Sequence, residues 1–299
     1  MRPMCVAAAL FVAAWMPASP SHAQQPQAVA PSAADLNITP KRLTFTRGQQ
    51  TATAYIFNRG SSPATVDVSV IDRVMAPSGE IAPLDQAGRD PQFQAAAGRL
   101  RSARSLVIVS PRRVTLQPGR GQTIRVRVTP PPGDAPGEYR SHLTVAMVPA
   151  ADTGLTAEDA AAGRPDQLSF RVTSIFGVSI PIIVRTRDVA ATAAVEQPRL
   201  TFEEVSLDGV SPPVRRAMLA LELGRSGTGS LFGNIEVRPR GQRPIGAIRG
   251  LGVYPEIDRR SVRVPLERVP TSGETLEIVF TDDDVDPGRV LARTSFRVP

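Results

Sequence analysis

The sequence predicts an all-β protein of two β-sandwiches, and three observations carry that expectation. Short runs that alternate apolar and polar residues recur along most of the chain, each broken by Gly, Pro, Asn or Ser. No helical period of useful length intervenes, which argues against alternating β and α units. A second set of such runs follows Arg185, and the 299-residue length leaves room for two domains.

The chain opens MRPMCVAAALFVAAWMPASPSHA, with Arg2 ahead of an apolar run from Val6 to Met16 and Ser-His-Ala before QQPQ. This reads as a secretory signal, residues 1–23, cleaved after Ala23. The apolar run is too short to span a bilayer, and no other segment is long and apolar enough to do so, so an exported, periplasmic protein without an integral membrane segment is expected. Cleavage removes the single cysteine, Cys5, and the single tryptophan, Trp15, leaving neither a disulfide nor a cysteine metal ligand. Residues 24–35 lack periodicity and read as a disordered arm.

Ordered sequence begins at Leu36. LTF precedes TRGQQ, TATAYIF precedes NRGSSP, and TVDVSVI precedes an APSGEIAPLD turn region, followed by RSLVIVSP, RVTLQPG, QTIRVRVTPPPGD and YRSHLTVAMV. ADTGLTAEDAAAGRPD reads as a long mobile loop. Beyond it, Leu168, Phe170, Val172, Ser174, Phe176, Val178, Ile180, Ile182 and Val184 occupy alternate positions, apolar in all but one case, and define a strand that closes a sandwich spanning residues 36–185. At roughly 3.3 Å per residue such a strand exceeds about 50 Å, twice or more the usual length. TRDVAATAAVEQP is a strand or a hinge, and the runs from RLTFEEVSL to VLARTSFRV make the second sandwich, residues 186–299, in which no helix is needed.

The formal charge is +7, and Lys41 is the sole lysine. The arginines are dispersed and aromatics make up only 5%, a pattern that fits a solvated basic surface rather than a nucleic-acid site. Enzyme constellations are scarce. His22 lies in the signal, and His142 reads as a strand residue bonded to a neighbour. No GxSxG, phosphate loop or HExxH occurs, and no cofactor is expected. Asp282, Asp283, Asp284 and Asp286 alternate oxygens as calcium loops do, but lack the glycine and closing glutamate of such loops, so they read as a solvated turn. Glu203 and Glu204 are adjacent on a strand and point to opposite faces.

Two stretches carry a resemblance. ITPKRLTF with TATAYIFN, then VSPRRVTLQPGRGQTIRVRV, is similar to the first domain of the periplasmic chaperones of fimbrial, or pilus, assembly. The matching positions are Arg42 ahead of Phe45, Asn58 at a strand end, and Pro111, Leu116, Pro118, Gly119, Gln122 and Arg125. The resemblance runs from Leu36 to Arg185 and continues loosely through SGTGSLFGNIEV and GLGVYP. It implies two immunoglobulin-like domains in a boomerang, no enzymatic activity, and fimbrial subunits as partners, with an outer-membrane usher as a further one. It also implies donor-strand complementation: the first half of the long strand, Leu168, Phe170, Val172, Ser174, Phe176 and Val178, is lent to a subunit's open groove, while Ile180 to Val184 stay in the chain's own core. Arg42 matches an arginine that holds the subunit's terminal carboxylate. The family's companion lysine falls at Pro181, so Arg185, Arg140 or Arg171 are the candidates to replace it, or Arg42 acts with backbone N–H groups alone. The alternative is an exported binding sandwich for a carbohydrate or protein ligand, for which the mature chain offers only Tyr55, Tyr139, Tyr254 and its phenylalanines as stacking surfaces.

The mature protein purified from its host should begin at Gln24 and contain no thiol. Intact-mass measurement checks this, and a retained leader or lipid on Cys5 would refute the export reading.

Overall fold

The structure, a computed structural model, describes residues 35–131, 137–149, 175–187, 189–206 and 212–299. The first part of the chain runs β1 (Leu36–Thr39), β2 (Leu43–Phe45), β3 (Thr51–Asn58), β4 (Ala64–Ile71), a β5 (Arg73–Met75) to β6 (Ile81–Pro83) hairpin, α1 (Leu84–Ala87), α2 (Pro91–Ala97), β7 (Val107–Ser110), β8 (Arg113–Leu116), β9 (Gly121–Val128), β10 (Glu138–Met147) and β11 (Gly177–Arg185). One sheet has the order β1-β3-β9-β7 and the other β2-β11-β10-β4-β8. The remainder supplies β12 (Ala191–Val205), β13 (Val214–Gly227), β14 (Leu231–Pro239), β15 (Gly246–Val253), β16 (Arg259–Pro265), β17 (Thr275–Asp282) and β18 (Val290–Arg297), in sheets β12-β13-β16 and β15-β14-β17-β18. The all-β class expected from the alternation is the class observed. TRDVAATAAVEQP runs into a strand, β12.

Alternation sets the first core. Ala54 and Ile56 of β3, Ile124, Val126 and Val128 of β9, Val66 and Val68 of β4, Leu143 and Val145 of β10, and Ile180, Ile182 and Val184 of β11 point inward into one apolar cluster. Asn58, the end of β3, shows why that motif needs its residues. Its side chain donates to the carbonyls of Ser62 at 2.8 Å and Leu116 at 3.2 Å, and its own carbonyl accepts from Gly119 N–H at 2.9 Å. Gly119 has φ +68°, a left-handed turn that a side chain would oppose.

Around Arg140 to His142 and Ile182 to Arg185, strands β10 and β11 are buried on both faces. Glu138 pairs with Arg185, Arg140 with Ile183 and His142 with Pro181 across the ladder, and this row lies on the face away from the first core. It meets the second sandwich: Arg140 forms an ion pair with Glu256 and stands 4.1 Å above the Tyr254 ring, while Ile183 joins the second core.

The strand ending at Arg185 begins at Gly177 among the described residues, with Ile175 and Phe176 outside any strand; residues 168–174 and the ADTGLTAEDAAAGRPD loop lie outside the described residues. The APSGEIAPLD region does not simply turn: it runs into two short helices that the sequence reading passed over. Helix α2 has Asp90 as its N-cap, accepting from Gln92 N–H at 3.0 Å, and a proline at its first position. The second core also draws on residues before Arg185. Val74, Met75, Ala76, Ala87, Phe93 and Ala96 pack with Leu219, Ile235, Val253 and Val264 of the second sandwich.

Phe93 is 2% exposed. Phe93→Ala should destabilise the protein by about 3–5 kcal/mol, the usual cost of emptying a buried aromatic site. Urea denaturation of the purified variant checks it, and a loss below about 0.5 kcal/mol, typical of surface positions, would mean that α2 does not dock.

Candidate functional site

Arg42 precedes β2, a three-residue strand that pairs in parallel with β11 through Leu43↔Ile182, Thr44↔Ile183 and Phe45↔Val184. That register sets Arg42 abreast of Pro181, where the resemblance expected an arginine beside a lysine. The guanidinium does not stay on the strand surface. It reaches the second sandwich, 4.8 Å above the Phe232 ring, and its side chain is 9% exposed. Its Nε donates to Thr44 Oγ1 at 3.3 Å, and its Nη2 donates to Ser230 Oγ at 3.1 Å and Asp284 Oδ2 at 3.0 Å.

Arg185, at the end of β11, converges on the same oxygen. Its Nη2 donates to Asp284 Oδ2 at 2.6 Å and its Nε to Glu138 Oε2 at 3.1 Å. Glu138 Oε2 also accepts from the N–H and the hydroxyl of Ser230, each at 3.1 Å. Burial pulls the Arg185 guanidinium down, but Glu138 and Asp284 more than offset it and hold the group above its ordinary value. The structure thus brings together the two arginines singled out from sequence. Asp284 of the same chain lies between them. Two guanidinium and two carboxylate groups make the cluster neutral.

Asp284 and Glu138 were missed in the sequence. The acidic run in which Asp284 lies was read as a solvated turn, whereas Asp282 is buried and the Asp284 side chain is 11% exposed. The Asp282 carboxylate accepts N–H from Asp284 at 3.1 Å and from Asp286 at 2.8 Å, which shapes the loop and aims Asp284 at the arginines. Among the described residues, no group of three or more His, Cys, Asp or Glu side chains is placed to hold a metal ion.

Arg140, another candidate for the lysine's role, is committed elsewhere. Its Nη2 pairs with Glu256 and donates to Arg73 O at 2.8 Å, with a side chain 2% exposed, so it is a tie between the sandwiches rather than a ligand anchor. Glu256 in turn accepts Met75 N–H at 3.2 Å. Arg171 lies outside the described residues.

Beside the arginine cluster lies a cleft of ≈ 1170 Å³ between the β2–β3 turn, Arg185 to Arg187 with Val189 to Ala191, and the β17–β18 loop, its wall including Arg47, Arg185, Arg187, Val285 and Arg289. Next to Arg42, the outer edge of β11 is paired only from Ile182 to Val184, so Gly177 to Pro181 have no sheet partner on that side among the described residues. A proline within this stretch fits an edge. Of the expected lent residues, Phe176 is 53% exposed with Ile175 beside it at 62%, while Val178 is half-buried against the first core. Leu168, Phe170, Val172 and Ser174 lie outside the described residues.

No protein-family model and no curated protein matches the chain. Solved structures do. The E. coli chaperone DraB is 11% identical with a TM-score of 0.41, covering 89% of this chain and 97% of its own. The Pseudomonas aeruginosa CupB2 chaperone is 10% identical with a TM-score of 0.41, covering 88% and 100%. A chain from the complex of the Salmonella enterica SafA pilin with the SafB chaperone is 14% identical with a TM-score of 0.40, covering 88% and 96%.

His142, on the face of β10 that meets the second sandwich, is held well below its ordinary pKa by burial first, then by Arg140 and Arg73. The native protein therefore keeps it neutral, while the unfolded chain protonates it near pH 6.5, so this residue makes stability fall as pH drops below that value. His142→Gln should remove about one proton from the slope of stability against pH between about 6.5 and 5. Denaturant midpoints at several pH values check this; an unchanged slope would mean that the buried imidazole is already charged.

Proposed function

We propose that the chain is a non-enzymatic, periplasmic chaperone that holds subunits of a surface fibre and delivers them for assembly at an outer-membrane usher. The observation that carries this reading is the half-open edge of β11. Among the described residues, the outward-facing backbone groups between Gly177 and Ser179 and the Pro181 carbonyl side of the edge have no sheet partner and could take an added strand, the apolar residues Ile175 and Phe176 stand exposed where that strand would begin, and the arginine pair lies at its other end. An apolar edge left unpaired is an aggregation hazard unless a partner uses it. A subunit lacking one strand of its own sandwich is such a partner: ladder hydrogen bonds give affinity, and alternate side chains fill its groove. The sequence motifs around Arg42, Asn58 and Pro118–Gly119 support the same class. On this reading residues 36–185 and 186–299 are the two domains, and Leu168 to Val178 are the lent segment.

Phe176→Asp should leave the thermal midpoint within a degree or two, because the side chain already meets solvent, yet abolish subunit capture, because an unpaired charge in an apolar groove costs several kcal/mol. A melt and a pull-down of fibre subunits on one preparation check both. Capture at wild-type levels by a folded variant would refute the reading.

A further inference from the structure

We propose that the free edge of β12 is a self-association surface, on which a second copy of this chain pairs antiparallel about a two-fold axis at Thr201. The sheet β12-β13-β16 has two edges. One is covered: Ser261 N–H of β16 donates at 2.8 Å to the carbonyl of Pro77, in the excursion that follows β5. The other, the outer edge of β12, pairs with no strand among the described residues. Its first half is blunted by a bulge, because the register with β13 shifts between Glu196 and Arg199, Gln197 takes φ +49° and Pro198 has no N–H to donate. From Arg199 to Val205 the strand is regular and holds neither proline nor glycine. A bare edge of this kind is a template for another chain unless its side chains forbid the pairing.

Here the side chains select one register instead. Leu200 packs on the second core, so Leu200, Phe202 and Glu204 share the inner face, and Arg199, Thr201 and Glu203 share the outer one. A two-fold axis perpendicular to a continuous sheet keeps every residue on its own face, and residues directly opposite share a face, so the axis falls at a residue and not between two. An axis at Leu200 carries Glu203 and Glu204 against the bulge, one at Phe202 sets Leu200 against a glutamate, and one at Glu203 or Glu204 sets like charges on each other. At Thr201 every pair matches: Arg199 meets the partner's Glu203, Leu200 meets the partner's Phe202, each pair occurring twice, and threonine meets threonine. The groups are also placed to make these contacts. Arg199 is exposed and forms no ion pair among the described residues. Glu203 gives one oxygen to Arg263 Nε at 3.0 Å, which leaves its second oxygen for an incoming guanidinium. Phe202 is 42% exposed although it lies on the inner row, with only Ala217 opposite it on β13 and Arg215 4.4 Å above its ring. Pairing covers that ring with the partner's Leu200 and joins the two three-stranded sheets into one of six.

The pairing uses no residue of β11 and does not depend on the chaperone reading. Sedimentation velocity of the whole mature protein, from low to high micromolar concentration, tests it. Wild type should pass from monomer to dimer across this range, as a small interface does. Arg199→Glu puts like charges at both ends of the pairing, and so does Glu203→Arg, so each variant alone should weaken the dimer by about tenfold or more. An equimolar mixture of the two variants should associate as tightly as wild type, because acid then meets base at both positions. Rescue by mixing also separates charge from damage, since a variant that failed through misfolding would not recover. A wild type that stays monomeric throughout would overturn the proposal. So would a dimer indifferent to both reversals, which would place the contact on another surface, and so would two variants that remain monomeric when mixed.

Discussion

The relative placement of the two sandwiches depends on guanidinium groups that cannot be buried alone. Arg140 and Arg185 leave the same face of the β10–β11 ladder, and each finds a carboxylate on the second sandwich, Glu256 for one and Asp284 for the other. Removing one member of such a pair leaves a stranded charge, so the arrangement tolerates little sliding. Apolar packing around Ile183 then fills the space between the two polar ties. Charge fixes the register of the interface, and hydrophobic burial supplies its bulk.

Strand β11 is where these demands meet. Ile180, Ile182 and Val184 belong to one core, Ile183 to the other, and Arg185 to the ion network. Among the described residues, its outer edge is paired only where three-residue β2 runs beside it. The rigid, doubly buried end of the strand therefore holds in place an end with unspent hydrogen-bonding capacity. A strand added at that end would inherit its geometry from the closed one.

What the sequence made legible is what period two encodes. Sheet membership of the apolar runs, the buried end of β11 and the position of Arg42 beside it all follow from local patterns. The pairings that decide the site are not local. Asp284 is 242 residues from Arg42, and Glu256 is 116 from Arg140, so nothing in either neighbourhood announces the partner. An acidic run looks solvated until its counter-charges are known. The helices were missed for a different reason: α1 and α2 are too short to display a helical period, and only the Asp90–Pro91 cap and Gly98 marked the second of them.

The excursion from Arg73 to Leu100 has a consequence for how the protein can be made and inherited. Because Val74, Met75 and Phe93 complete the core of the later sandwich, that sandwich is unfinished until an earlier piece of chain is laid against it. A fragment that starts after Arg185 carries all the strands of its sheets and still presents a gap in its interior. The two halves are thus not interchangeable parts. A gene fusion that kept either one alone would inherit a hole or an orphaned plug, and the pair must be translated, folded and passed on together.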